Sequence, residues 1–170
     1  MNRWGGRLLA VGLGAPLALA FPRPGWWWLA LVGLAPLLAL AIAAPSGPEA
    51  GVRAWLGGTG FFLAVNAFLF PVVGPFMVPL AMLLGLCWLP VGWLARSLLA
   101  GAPDLDPPGP SAGRLVAALV LVPAAFVVGE AVRSWEGLGG PWGLLGASQW
   151  NAPALLSVAA LGGVWAVGFL

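Results

Sequence analysis

The 170-residue chain carries little charge and lacks several residue types altogether. It contains no lysine, no histidine and no tyrosine, and Cys87 is its only cysteine. A single cysteine excludes a disulfide framework. Because the chain also lacks histidine, it cannot form a metal site built from His and Cys. Only 7% of the residues are charged, against about 25% in soluble domains. The sequence therefore excludes a water-soluble fold, and we expect neither a metal nor a cofactor.

Hydrophobic residues make up 61% of the chain instead. A helix that crosses a bilayer needs about 20 mostly apolar residues, and the sequence contains six segments of roughly this kind. It therefore predicts an all-α membrane protein, a bundle of about six transmembrane helices. The predicted spans lie near residues 8–21, 26–44, 56–70, 76–95, 115–132 and 154–170.

Two stretches between the predicted spans have a different composition. Residues 101–113 are rich in proline and contain two acids, which favours an extended linker. Residues 134–151 are rich in glycine and tryptophan, and we predict an interfacial loop or half-helix on the membrane surface. Two glycine clusters, at 57–60 and 162–163, favour close approach of helices.

The arginines predict the orientation of the chain. With the N-terminus in the cytoplasm, five of the seven arginines fall inside and only Arg23 and Arg133 fall outside, as the positive-inside rule requires. The linker at 101–113 is then cytoplasmic, and we expect a multi-pass protein of the bacterial inner membrane. Because the arginines lie singly and form no basic stripe, we expect no nucleic-acid partner.

The N-terminus allows a second interpretation. Arg3 and Arg7 precede a short apolar run that ends in Ala18-Leu19-Ala20, a pattern that resembles a signal peptide with its cleavage site. The segments that follow are also hydrophobic, so a cleaved chain would remain a membrane protein.

Cys87 and a group of three charged residues are the candidates for chemistry. Cys87 lies in an apolar run without a nearby charge, and we predict a structural role because a reactive thiol needs an activating partner. Glu130, Arg133 and Glu136 lie near the outer end of the fifth span, with spacing that places them on one helical face. One interpretation is a Glu130–Arg133 ion pair that anchors the helix. The other is that Arg133, held by Glu130, binds a lipid phosphate or an anionic intermediate.

The last third of the chain contains an ordered series of motifs. The series is Glu130-x-x-Arg133, Gly140-Pro141-Trp142, Gly146-Ala147-Ser148-Gln149, Pro153 and Gly162-Gly163-Val164 … Phe169-Leu170. Upstream stand Leu19-Ala20-Phe21-Pro22 … Gly25-Trp26-Trp27 and Gly60-Phe61-Phe62-Leu63. In this order the motifs resemble the membrane region of bacterial apolipoprotein N-acyltransferases, most specifically over 130–149. Two departures stand out, since Ala147 and Gly140 occupy positions where the family often has an aromatic residue.

This resemblance implies an enzyme that moves an acyl chain from a phospholipid to the N-terminal amino group of diacylglyceryl-Cys lipoproteins. In the family a Glu–Lys–Cys triad in a nitrilase-like domain carries the reaction through a thioester. This chain has no lysine, so we assign it no catalytic residue and expect a truncated membrane portion that is inactive alone. Within the series, Glu130, Arg133, Trp142 and Gln149 are the candidate lipid-headgroup or interfacial residues. The implied partners are a phospholipid acyl donor and lipoproteins.

Two other functions remain open at the level of sequence. A small transporter or channel subunit would use a broken span around residues 71–79 and Glu130 as a coupling carboxylate. A lipid-binding membrane scaffold would hold a separate nitrilase-like partner.

Overall fold

The computed structural model describes residues 2–101, 109–136 and 140–170, and these residues form helices and no β-strand. Residues 102–108 of the predicted linker and 137–139 of the predicted interfacial loop lie outside this set. The described residues contain nine α-helices: α1 Arg3–Gly14, α2 Trp28–Val32, α3 Leu34–Ile42, α4 Gly47–Val65, α5 Phe70–Val73, α6 Met77–Gly85, α7 Leu89–Leu99, α8 Ala112–Arg133 and α9 Pro153–Phe169. Short 3-10 helices also occur, among them Ala15–Ala20, Leu86–Trp88 and Leu145–Asn151.

Polar side chains mark where three of the helices begin. Asn2, Ser46 and Ser111 stand just before α1, α4 and α8, and the side-chain oxygen of each accepts a hydrogen bond from a backbone amide three residues later. Such caps satisfy amides that the first helical turn leaves unpaired. Pro153 opens α9, at a position where its missing N–H costs no helical hydrogen bond.

Two helical stretches in the described residues are long and apolar enough to cross a membrane. They are Ala67–Leu99 and Ala112–Arg133, which contain the predicted spans at 76–95 and 115–132. The first is a run of short helices. At Gly74, which has a φ of 54°, the helical backbone is interrupted, and the longer regular part of the stretch is α6 with α7 after this break. Two shorter apolar helical stretches are Trp28–Ile42 and Pro153–Phe169.

The glycine cluster at 57–60 lies at the centre of the helix packing. α4 packs against α1, α3, α6 and α7. A Cβ added at Gly14 would lie 1.8 Å from the carbonyl oxygen of Gly57, and one at Gly60 would lie 2.1 Å from that of Val11. Since no side chain fits at these crossings, the prediction of close helix approach at 57–60 is confirmed.

The second glycine cluster has a different role. Gly162 and Gly163 interrupt α9 with non-helical backbone angles, and Gly163 has a φ of 63° and a ψ of −157°. A Cβ added at Gly163 would meet nothing within 4 Å. The prediction that this pair lets two helices approach closely is wrong, because the glycines supply a backbone kink.

Aromatic rings fill the space between α4, α8 and the junction of α6 with α7. Phe61, Phe62 and Trp88 are almost fully buried. The ring of Trp88 stacks on Phe61 at 5.5 Å between centroids and meets Phe126 edge-on at 5.1 Å. Such offset and edge-to-face pairs add to the stabilisation that comes from burying the rings. This aromatic core lies next to the buried polar residues of α8.

Candidate functional site

Most of the arginines gather at one end of the helices. Four of them bind groups at the start of α4 or at the carboxyl ends of α3 and α7. These contacts are Arg7 Nη2 to Glu49 Oε2 at 2.8 Å, Arg53 Nη1 to Leu40 O at 2.9 Å, Arg96 Nη1 to Ile42 O at 2.6 Å and Arg114 Nη2 to Ala100 O at 3.1 Å. Arg133 lies at the opposite end of α8 from Arg114. Arg133 is therefore separated along the packed helices from these four arginines.

Glu49 is at the centre of a buried ionic network at the first of these ends. It contacts Arg7, and Arg53 Nε lies 3.4 Å from its Oε1. Glu49 stands before the predicted span at 56–70. Burial raises the pKa of Glu49, but hydrogen bonds and charge from Arg7 and Arg53 outweigh it, so the pKa lies below its ordinary value. Glu49 is not among the predicted site residues, although its i,i+4 spacing to Arg53 is a sequence signal for such a pair.

Glu130 and Arg133 lie in the last turns of α8 and are both buried. Oε1 of Glu130 accepts a hydrogen bond from the backbone amide of Leu145 at 2.7 Å. Arg133 donates from Nη1 to the carbonyl oxygen of Trp142 and from Nη2 to that of Gly143 at 3.3 Å. Both side chains therefore bind the backbone of the segment that follows α8.

The predicted ion pair between Glu130 and Arg133 is wrong. Among the residues that the structure describes, no oxygen of Glu130 lies within 4.0 Å of an Arg133 nitrogen, and both ion pairs found there involve Glu49. The backbone after α8 is irregular, and its unpaired amide and carbonyl groups need partners when buried. Glu136 does not share a helical face with the pair either, because α8 ends at Arg133 and Glu136 is exposed beyond it.

The guanidinium of Arg133 also lies against the aromatic core. Its Cζ atom is 4.8 Å from the centroid of the Phe62 ring, a cation–π distance. A small cavity of about 110 Å³ opens beside it, lined by Arg133, Asn66, Trp142 and four other residues. The side chain of Trp142 is exposed and its ring packs on Phe68 at 5.8 Å. The structure thus brings Glu130, Arg133 and Trp142 together at the end of α8.

Gln149 lies on the other side of the same segment, in the 3-10 helix Leu145–Asn151. Its side chain is 3% exposed. Nε2 donates hydrogen bonds to the carbonyl oxygen of Trp27 at 3.1 Å and to Oγ of Ser148 at 2.9 Å. Gln149 therefore ties the segment to the start of α2 and does not join the group around Arg133.

The segment at 140–151 is only partly exposed. Leu145, Gly146 and Ser148 are buried, whereas Trp142 and Trp150 are exposed. A Cβ added at Gly146 would lie 2.3 Å from the carbonyl oxygen of Val164 in α9. This part of the predicted interfacial loop is therefore packed between α8, α9 and the start of α2.

Cys87 lies in the 3-10 helix Leu86–Trp88 and is half-buried. Its backbone carbonyl oxygen lies against α8, where a Cβ added at Gly129 would be 2.9 Å away. The side chain packs beside the aromatic core. These contacts are with apolar or backbone groups, and the charge of Arg133 also acts on the thiol.

Comparison with known proteins places these features in a family. A family model described as the apolipoprotein N-acyltransferase N-terminal domain matches residues 13–170. An apolipoprotein N-acyltransferase of Pseudomonas aeruginosa (strain PAO1) is 33% identical over 98% of this chain and 32% of its own length. One from Coxiella burnetii is 35% identical over 86% of this chain and 30% of its length, and one from Pseudomonas syringae pv. tomato is 29% identical over 98% and 33%.

The chain spans about a third of the length of these curated relatives. The family match extends over nearly all of the residues described above, from the end of α1 to the end of α9. The chain therefore belongs to the apolipoprotein N-acyltransferase family and corresponds to the N-terminal domain of that family.

Proposed function

We propose that this chain is the membrane domain of an apolipoprotein N-acyltransferase. Such an enzyme transfers an acyl chain from a phospholipid to the N-terminal amino group of a diacylglyceryl-Cys lipoprotein. The family match over residues 13–170 and the shared name of the three relatives support this proposal, and they give no support to the transporter alternative. The chain contains no lysine for the triad, so the reactive groups belong to residues other than these 170.

The proposal includes a multi-pass arrangement in the bacterial inner membrane, with six spans and a cytoplasmic N-terminus. Large apolar side chains are exposed on the helices, for example Leu119 at 74% and Leu161 at 88%. Lipid tails cover such surfaces without cost, whereas water does not. The end that holds Arg7, Arg53 and Arg96 is the cytoplasmic end under the positive-inside rule. The end with Arg133 then faces the outer leaflet.

A lipid-binding role is supported chiefly by the hydrogen bonds of Arg133 and by the cavity beside it. Its guanidinium has five N–H donors, and the two hydrogen bonds to Trp142 and Gly143 occupy two of them. The adjacent cavity of about 110 Å³ is also lined by Asn66. A headgroup phosphate presents anionic oxygens that arginine binds strongly. We therefore assign Arg133 to the phosphate of the phospholipid donor, with Glu130 holding the segment that shapes this cavity.

The test is phospholipid binding to the purified chain in a nonionic detergent, titrated with dioleoyl phosphatidylglycerol and read by native mass spectrometry. Arg133→Gln keeps a side-chain amide that can donate to the Trp142 carbonyl but removes the charge. Since a hydrogen bond to a charged group contributes roughly 1.5–3 kcal/mol, affinity should fall about tenfold or more. Arg23→Gln is the matched control, because Arg23 is exposed and was predicted on the same side.

Two results would contradict the assignment. If Arg133→Gln lowers the abundance or melting temperature of the chain while lipid affinity stays unchanged, Arg133 serves only as an anchor. If Arg23→Gln weakens binding as much as Arg133→Gln, the effect is one of general charge. The separate proposal that catalysis lies outside these residues is overturned if the purified chain acylates a diacylglyceryl-Cys peptide by itself.

A further inference from the structure

Asn66 stands directly after the carboxyl end of α4 and lines the cavity of about 110 Å³ beside Arg133. Its backbone groups are paired, since its amide donates to the carbonyl oxygen of Phe62 at 3.2 Å and its carbonyl oxygen accepts from the amide of Leu69 at 2.8 Å. The residue is only 4% exposed. A side-chain amide at so buried a position needs hydrogen-bond partners of its own.

The side-chain amide of Asn66 makes no hydrogen bond to any residue that the structure describes. Among these residues, Oε1 of Gln149 is the only fully buried side-chain nitrogen or oxygen without a hydrogen bond. The unpaired Oδ1 and Nδ2 atoms of Asn66 are therefore not fully buried. Because the residue as a whole is buried and lines the cavity, these atoms reach the cavity. No described neighbour fixes the orientation of the amide, so either end of it can turn towards an occupant.

The lining of the cavity determines which charge an occupant should carry. Apart from Asn66 and Arg133, the lining residues are apolar or glycine, namely Leu69, Leu80, Leu84, Gly140 and Trp142. No acidic side chain is among these described residues, so none competes for the N–H groups that Arg133 has beyond the two bonded to Trp142 and Gly143. A group with several anionic oxygens therefore fits the cavity better than a neutral or cationic group.

The volume of the cavity limits how much of a ligand it admits. Sites that enclose a whole small molecule measure about 300–1,000 Å³, whereas this cavity measures about 110 Å³. It therefore admits one compact polar group, and the acyl chains of a lipid stay outside it. The phosphate of a lipid headgroup is such a group, and a phosphate diester offers acceptors only.

We propose that Asn66 is a second ligand of the phosphate assigned to Arg133. Nδ2 of Asn66 donates a hydrogen bond to a phosphate oxygen, and the guanidinium of Arg133 supplies the opposite charge. The source of the phosphate, a phospholipid headgroup, rests on the proposed function. Because Asn66 follows α4 and Arg133 ends α8, the bound phosphate connects the carboxyl ends of two helices.

The phosphate contact is tested with two lipids, one with a phosphate and one without. Purified chain in nonionic detergent is titrated with dioleoyl phosphatidylmethanol, whose headgroup is a methylated phosphate without any donor, and with dioleoylglycerol. Binding is read by native mass spectrometry. Asn66→Leu keeps nearly the same shape but removes the N–H donor, so it should bind phosphatidylmethanol about tenfold more weakly and dioleoylglycerol as well as before. Unchanged phosphatidylmethanol binding overturns the inference, and equal weakening for both lipids overturns it too, because Asn66 then acts only on the fold.

Two further variants keep the result independent of the fold. Asn151 is exposed and does not line the cavity, so Asn151→Leu is the matched control and should leave the binding of both lipids unchanged. Asn66→Asp replaces the donor by a carboxylate, which repels the phosphate and competes for Arg133, so it should bind phosphatidylmethanol more weakly than Asn66→Leu does. Melting curves verify that the variants fold. Phosphatidylmethanol binding by Asn66→Asp at the level of the unaltered chain overturns the inference, as does equal weakening by Asn151→Leu and Asn66→Leu.

The remaining measurements separate this inference from the proposed function. If Arg133→Gln weakens phosphatidylmethanol binding and Asn66→Leu does not, the proposed function stands and the inference fails. If only Asn66→Leu weakens it, the assignment of Arg133 fails, whereas Asn66 remains a phosphate ligand. Inorganic phosphate at the concentration of the lipid should not displace phosphatidylmethanol, because it lacks acyl chains. Displacement under this condition would identify free phosphate as the ligand and overturn the lipid as its source.

Discussion

Replacing Gly14 by alanine should loosen the packing of α1 against α4. A Cβ at Gly14 would lie 1.8 Å from the carbonyl oxygen of Gly57, while real Cβ atoms essentially never come closer than 3.0 Å. Both contacting groups belong to helix backbones and cannot swing away as a long side chain can. The two helices must therefore separate by at least about 1.2 Å at this crossing, the difference between the two distances.

The magnitude follows from a matched substitution in the same helix. Gly12 lies two residues earlier in α1, and a Cβ added there would meet nothing within 4 Å. Both substitutions gain up to about 1 kcal/mol from the higher helix propensity of alanine, but only Gly14→Ala overpacks the interface, at a cost of about 1–3 kcal/mol. Gly14→Ala should therefore be less stable than Gly12→Ala by roughly 1–3 kcal/mol.

The assay is thermal unfolding of the purified chain in detergent, followed by tryptophan fluorescence. A change of 1 kcal/mol shifts the melting temperature by about 2–4 °C for a chain of this size. Gly14→Ala should melt below the unaltered chain, and Gly12→Ala should melt at or above it. Equal melting temperatures for the two variants would refute the close contact between α1 and α4 and the packing role assigned to Gly57.

Two further predictions concern buried charges. Glu49→Gln should lower stability by about 2–4 kcal/mol, because it leaves Arg53 buried without a counter-charge. The control is Glu136→Gln at an exposed position, which should change the melting temperature little. Equal effects of the two substitutions would contradict the ionic network around Glu49. Glu130→Gln should change stability by less than about 1 kcal/mol, because the side-chain amide oxygen can still accept a hydrogen bond from the backbone amide of Leu145. Glu130→Leu should cost about 1–3 kcal/mol, because it leaves that backbone amide unpaired. Equal melting temperatures for the two variants would contradict the hydrogen bond.

The apolar helices could be predicted from sequence because hydropathy over about 20 residues depends on composition alone. The predicted span at 115–132 lies within α8, Ala112–Arg133, and its internal Pro123 does not end that helix. Breaks inside apolar stretches could not be predicted in the same way. The 3-10 segments Ala15–Ala20 and Leu86–Trp88 have the same apolar composition as their helical neighbours, so nothing in the hydropathy distinguishes them.

The sequence singled out Glu130, Arg133, Trp142 and Gln149, but it predicted neither their hydrogen bonds nor that Gln149 lies apart from the other three. Glu130 and Arg133 could be found because buried ionisable groups near an apolar span are rare. Their helical spacing suggested a bond to each other. The actual partners could not be predicted, because spacing on α8 gives no information about a backbone segment about ten residues later. Gln149 gave no sequence signal for its unpaired Oε1. That feature depends on Trp27, which is more than a hundred residues away in the chain.

The bonding pattern indicates what the ordered motifs at 130–149 do physically. Glu130 holds the amide of Leu145, and Arg133 holds the carbonyls of Trp142 and Gly143. These bonds fix both faces of an irregular segment against the end of α8. On one side the fixed segment borders the cavity of about 110 Å³ beside Arg133, and on the other side Gln149 borders a cavity of about 380 Å³ between α3, α8 and α9. The motif series thus fixes the segment that borders both cavities.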